Sequence, residues 1–392
     1  MIINNLKIYT MDERLGVIER GRLAFQNGKI TEVAGDDSIT AGDVVTDEVI
    51  DGGGLVCVPG FIDAHTHLGI VENGLTFEGD DCNEDSEPST PHLRAIDAIN
   101  PFDACFAEAR AAGVTTVASA PGSANPVGGQ LCVLKTVGKR VDSMLLKAPA
   151  AIKFALGENP KTTYHGKNSA PVTRMATAAI IRETLAKAKR YADELDAARA
   201  DEELDEPEYD IRSESLLPLM RGEIPAHFHA HRADDIFTAV RIAEEFGLKY
   251  VLVHCTEGHL IADELASLGA NAIVGPNLCD RSKPELVNLT YDNPRALSEA
   301  GVNVALTIDH PVVPLQYLQL CASLAVRNGM KPSAALEAIT IAPARILGVD
   351  DRVGSLRVGK DADFVLLDGE PTSPDTRVRA VYIDGRLINA GK

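Results

Sequence analysis

Pro59-Gly60-Phe61-Ile62-Asp63-Ala64-His65-Thr66-His67-Leu68-Gly69 is the stretch on which the reading of the fold turns. An apolar run ends in two histidines separated by one residue. In a strand, residues i and i+2 point to the same side. His65 and His67 then lie ~7 Å apart along one face, close enough to converge on one metal ion. A lone His-x-His pair is weak evidence. Here it opens a long alternation of short apolar runs and amphipathic helical patterns.

Eight such runs are readable: 55–67, 114–120, 130–136, 150–157, 225–231, 249–255, 271–275 and 303–309. Helical periodicity marks 101–112, 176–195, 233–246 and 314–329. Strands alternating with helices predict a parallel sheet with crossovers. Eight of them predict an α/β fold, a (β/α)8 barrel of the TIM type, over residues 56–349. Catalytic groups of such barrels gather at the C-terminal ends of the strands, which is where His65 and His67 fall.

Both chain ends read as short strands and turns. Asn27-Gly28 between two apolar runs is a hairpin signal, and a strand is expected in the stretch 44–60. Neither end alone makes a stable sheet. Residues 1–55 and 350–392 are therefore expected to build one small composite β-sandwich domain. Two acidic segments, 69–94 and 191–224, look inserted. The first leaves the end of barrel strand 1 and reads as a solvated loop or a lid.

The composition narrows the function. The 392 residues are 45% hydrophobic and 24% charged, as in ordinary globular chains. Net charge is 38 − 57 = −19, which repels phosphate backbones and disfavours nucleic acid and anionic membranes as partners. No apolar run approaches the ~18 residues of a membrane span, and the N-terminus lacks a leader's apolar core. Seven scattered cysteines without a Cys-x-x-Cys pair point to a reducing, cytoplasmic setting. A small-molecule substrate is the expected partner, and a homo-oligomer is an open alternative.

Two motifs carry a family resemblance. PGFIDAHTH (59–67), and VGSLRVGKDADFVLL (353–367) near the other end, resemble the amidohydrolase superfamily of metal-dependent hydrolases. The resemblance covers essentially the whole chain. It implies a distorted barrel with one or two divalent ions at its C-terminal face. Zinc is favoured, with iron, manganese and cobalt as alternatives, because histidine and carboxylate ligands suit all four. Residue by residue, it implies His65, His67, Lys153, His229, His254 and Asp309 as metal ligands.

Lys153, in AAIKFALG, also stands out on its own. Burying an ammonium is costly, and a depressed pKa leaves a neutral amine that can react with carbon dioxide. The resulting carbamate could bridge two ions. Glu158, just past the same strand, is a rival ligand, and a lysine snorkelling or paired with an acid is the bland alternative. His227, His229 and His231 share one face. The resemblance favours His229 as ligand, placing His231 near the substrate and His227 deeper as a hydrogen-bonded core residue.

Asp309 is expected to accept the attacking water's proton. His231 or His254 would steady the developing oxyanion. Substrate-binding candidates are Gly128 and Gly129, where backbone can approach a ligand, together with Tyr164, His165 and Arg232. The function implied is hydrolysis of a C–N bond in a cyclic amide or small peptide-like substrate by metal-activated hydroxide. Three alternatives stay open: a mononuclear enzyme like imidazolonepropionases or deaminases, which drops Lys153; a prolidase-like dipeptidase; and a non-catalytic barrel scaffold.

Overall fold

The computed structural model describes residues 1–35 and 48–390. The first part of the stretch 44–60, before Glu48, lies outside them. Eight strands follow one another in chain order around one sheet: Phe61–Thr66, Val114–Ser119, Val127–Lys135, Leu145–Ala155, Ala226–Ala230, Tyr250–His254, Asn271–Val274 and Asn303–Leu306. They are called barrel strands 1 to 8 below. The chain thus forms a nearly closed TIM-like barrel.

One strand departs from the expected pattern. Strand 3 runs antiparallel to both strand 2 and strand 4, while the other neighbouring pairs are parallel. The cause is loop length. Only residues 120–126 join strands 2 and 3, and only 136–144 join strands 3 and 4. A parallel crossover needs a dozen residues or more, so the chain must turn straight back.

Strands 1 and 8 close the ring without a ladder. The Asp63 carboxylate accepts the backbone N–H groups of His65 (3.0 Å) and Ile308 (3.1 Å). The Thr307 hydroxyl donates to the His65 carbonyl at 2.7 Å, and the His67 N–H donates to the His310 carbonyl at 2.8 Å. These bonds cross the seam directly beside the two histidines. They couple the last step of closure to the placement of the site.

The helices pack outside the ring. In Ala233–Phe246, Ile236, Ala239, Val240 and Ala243 recur at the spacing of one helical face, and all are buried. This helix ends at Gly247, whose φ of 64° makes the left-handed cap that glycine adopts without a Cβ penalty. The long helix Arg174–Ala200 starts where the Thr173 hydroxyl accepts the Ala176 N–H. It carries the acidic insertion as far as residue 200.

Strands from both chain ends form a second sheet: Ile2–Tyr9, Val17–Gln26, Lys29–Gly35, Val49–Asp51 and Val56–Pro59, with Phe364–Leu367, Val378–Ile383 and Arg386–Ala390. Hydrogen bonds join all eight into one sheet, not the two separate sheets that a sandwich names. Val56–Pro59 pairs with Phe364–Leu367, so the first barrel strand begins at Phe61 and not at residue 55 or 56. The period of two sorts the faces. Val56, Val58, Val365 and Leu367 join the barrel's apolar core, while Cys57, Phe364 and Leu366 pack with Ile3, Ile8 and Phe25. Buried Lys135 of barrel strand 3 reaches Asp361 (2.8 Å) and Asp363 (3.0 Å) beneath this sheet.

Candidate metal centre

The C-terminal ends of strands 1, 4, 5 and 6 and the turn after strand 8 deliver one buried cluster. His65 is in strand 1, and His67 follows its end. Lys153 is in strand 4, His229 in strand 5, and His254 ends strand 6. His231 lies one residue past strand 5. Asp309 lies three residues past strand 8, with φ at 54°, and His254 also has a positive φ, 71°. Left-handed backbone at non-glycine residues is costly and clusters at functional sites. Here it turns both side chains inward.

The distances define two groups. Asp309 Oδ1 stands 3.5 Å from His65 Nε2 and 3.4 Å from His67 Nε2. Lys153 Nζ is 3.1 Å from His65 Nε2. One ligand atom each from His65, His254 and Asp309 fall within 4.8 Å of one another, and the same holds for His229, His231 and His254. The ring of His254 is 4.4 Å from that of His229 and 5.4 Å from that of His65, so it links the groups.

Four of the rings are oriented by bonds at Nδ1. His67 bonds the Ala120 carbonyl and His254 the Gly275 carbonyl, each at 2.7 Å. His231 bonds the Thr256 hydroxyl (2.7 Å) and His229 the Ser123 hydroxyl (2.9 Å). Fixing one ring nitrogen leaves the other to face the cluster, as in metal-binding histidines. Asp309 Oδ1, His65 Nδ1 and Glu285 Oε1 are buried and have no hydrogen-bond partner. A buried polar atom left unpaired is costly, so the Asp309 and Glu285 oxygens, which face the histidines, fit a divalent ion well.

The electrostatics agree. Burial holds His65, His229 and His231 well below the usual histidine range, and lowers His254 to about 4, so these rings are neutral and able to ligate. Burial also lowers Lys153 to about 8. Burial opposes protonation of His67, but Cys82 and Asp309 beside it outweigh that and push it up to about 10. Burial raises the Asp309 carboxyl, yet His254, His67 and Lys153 together hold it below the ordinary range.

Not every expected residue reaches this place. Glu158, the rival of Lys153, donates its backbone N–H to Glu285 at 2.9 Å at the start of the helix Glu158–Gly166. Tyr164 in that helix is buried, but its hydroxyl is spent on Asn125 at 2.6 Å, bracing the helix against the loop 120–126. His165 follows it and is exposed. The Arg232 guanidinium is fixed by Asp234 at 2.9 and 3.0 Å beside its own helix start. His227 is buried, yet its ring makes no hydrogen bond, unlike the core residue expected.

Gly128 fares better than Gly129, where a Cβ would meet the Leu93 carbonyl oxygen at 2.6 Å. Because strand 3 runs backwards, its first residues lie at the active end, and a Cβ on Gly128 would stand 3.3 Å from the Lys153 side chain. The segment 69–94 is pinned across this mouth. Cys82 accepts the Gly122 N–H at 2.7 Å, and the Asn83 side chain accepts that of Ala124 at 2.9 Å.

Two acids escaped the sequence reading. Asp63 was legible as part of the motif but not as the seam's acceptor. Glu285 sits in the loop after strand 7, where no periodicity marks it. It is 2% exposed, with Oε1 3.6 Å from His231 Nε2 and 4.0 Å from His229 Nε2.

With this geometry in view, similarity to known proteins decides the family. The amidohydrolase family model matches residues 56–388. The chain belongs to the amidohydrolase family. A solved amidohydrolase from Thermotoga maritima MSB8 is 40% identical, with a TM-score of 0.93 and 100% of both chains covered. Amidohydrolase tasK of Hapsidospora irregularis is 29% identical over 93% of this chain, which spans only 39% of that protein. An imidazolonepropionase of Symbiobacterium thermophilum is 26% identical over 90% of this chain and 84% of its own length. As an amidohydrolase, the chain is a hydrolase of carbon–nitrogen bonds. Among the described residues, no helix is long and apolar enough to cross a membrane.

Proposed function

We propose that this amidohydrolase opens the C–N bond of a cyclic amide or a small peptide-like amide, using two divalent ions with zinc favoured. The observation that carries the reading is Lys153. It is fully buried, 3.1 Å from His65 Nε2, and its charge acts on His65, His229, His231 and His254 alike. A permanent ammonium there would repel any ion. A carbamate on Nζ would reverse the charge and offer two oxygens.

His65, His67, His254 and Asp309 would hold the first ion. A divalent ion bound here supplies an ionised water at neutral pH and a polarised amide carbonyl. Asp309, held ionised by its neighbours, takes the attacking water's proton at a carboxylate oxygen and delivers it to the leaving nitrogen. Gly128 lets the substrate approach Lys153 without a side chain in the way. The pinned segment 69–94 walls the mouth and limits entry of bulk water.

A second reading is a mononuclear enzyme of the imidazolonepropionase kind, supported by the names of several curated relatives. Metal per chain separates the two readings, at about two for the first and one for the second. A hydrolysis screen of cyclic amides, imidazolone rings and dipeptides on zinc-loaded protein tests the activity. If no member of the three classes is cleaved by protein carrying its ions, the proposed substrate range is wrong.

A further inference from the structure

Glu285 is not explained by the ligand set above. It is buried at the end of a charged run in the loop after strand 7, and burial pushes its carboxyl up. Oε2 is anchored by the Glu158 N–H at 2.9 Å. The space it occupies depends on Gly157, where a Cβ would stand 2.8 Å from that oxygen. Oε1 accepts no hydrogen bond and faces His231 Nε2 (3.6 Å), His229 Nε2 (4.0 Å) and, at 3.9 Å, Lys283 Nζ. Lys283 is itself drawn aside by a 2.8 Å bond to the Asn159 side-chain oxygen Oδ1.

Two ligands each ~2.1 Å from one ion can stand at most ~4.2 Å apart. The separations from Oε1 to both histidines lie inside that limit. The two rings have their other nitrogens tied to Ser123 and Thr256, so neither can turn away without losing a bond. A carboxylate and two imidazoles are the protein donor set of a catalytic zinc site, and the remaining position is the one a Lys153 carbamate oxygen would take. We propose that His229, His231 and Glu285 hold the second divalent ion, with Glu285 as its carboxylate ligand. This rests on the metal-dependent reading and goes beyond it. It takes His231 from the oxyanion role expected of it, and takes one ligand from a loop after strand 7.

The test uses the full-length protein, stripped with chelator and reloaded with Co(II), read by elemental analysis after dialysis and by visible ligand-field absorption. Wild type is expected to hold two equivalents. Glu285→Gln, nearly the same shape, should weaken one equivalent at least ten-fold and remove its absorption band. His231→Ala should remove the same band. His67→Ala should remove the other, and the Glu285→Gln/His67→Ala pair should remove both. Melting curves confirm that each variant is folded. Two equivalents with unchanged bands in Glu285→Gln overturn the proposal, including the case where only KM rises because Glu285 binds a cationic substrate. A wild type that binds no Co(II) at all overturns the metal-dependent reading beneath it, which is a different result.

Discussion

Carbon dioxide should react with Lys153 and with no solvent-exposed lysine of this chain; Lys360 is also lowered to about 8, but its amine is spent on the Val353 carbonyl and the Ser355 hydroxyl. Carbamate formation consumes the neutral amine. A solvent-exposed lysine near 10.5 is neutral about three times in ten thousand at pH 7. Burial brings Lys153 to about 8, so about one molecule in ten carries the neutral amine, a gain of ~300-fold. At fixed dissolved carbon dioxide the rate of carbamate formation, which releases one proton per amine consumed, should rise with pH and level off above about 8. Between pH 7 and pH 6 the neutral fraction falls about ten-fold. The assay is zinc-loaded protein equilibrated with 13C-bicarbonate and observed by 13C NMR, which should show one slowly exchanging carbamate per chain. Lys153→Ala should lose that resonance and most hydrolysis, and short carboxylic acids should restore part of the rate. Glu158→Gln should keep both. A wild type without the resonance, or a resonance that survives in Lys153→Ala, refutes the assignment.

Three further outcomes are expected. His65→Ala and His67→Ala should each lower bound metal by about one equivalent by elemental analysis, and unchanged content in both would remove the first site. Deleting 350–392 strips Phe364, Val365, Leu367 and Val381, all fully buried, from the end sheet. At ~1.5–3 kcal/mol each the loss is roughly 6–12 kcal/mol, comparable with a domain's whole stability, so the truncated chain should aggregate. A soluble truncation that melts cooperatively would contradict this. Asp63→Asn keeps one seam bond and turns an amide N–H toward the other donor, costing ~1.5–3 kcal/mol. Calorimetry should show a Tm lower by a few degrees, and an unchanged Tm would deny Asp63 its seam role.

The site was legible where an apolar strand ended in a polar residue. His65, His229 and His254 each follow at least one buried apolar or small residue of their own strand, and burial on all sides leaves the strand's mouth as the natural place for a polar group. Strand 3 was legible as a strand but not in direction, although the shortness of 120–126 already forbids a crossover. Tyr164, His165 and Arg232 show a different limit. Spacing places a residue on a loop or helix, but whether its polar end meets a ligand or a neighbour such as Asn125 or Asp234 depends on packing. Glu285 lies in Asp280-Arg281-Ser282-Lys283-Pro284-Glu285, a charged run that looks solvated. Only the fold shows that one of its charges is folded inward.

The reversed third strand also bears on how the chain assembles. Strands 2, 3 and 4 pair as an antiparallel meander, with contacts such as Thr116 to Lys135 closing loops of about twenty residues. The end sheet instead joins Val56–Pro59 to Phe364–Leu367 across about three hundred residues. Closing a longer loop costs more entropy, and non-local pairing is slow. Residues 114–155, with Lys153 among them, are thus expected to order early and by themselves. The Val56–Pro59 edge must stay open until Phe364–Leu367 has been synthesised. Synthesis itself then sets the order, with the lysine's surroundings shaped first and the sheet that bears both termini sealed last.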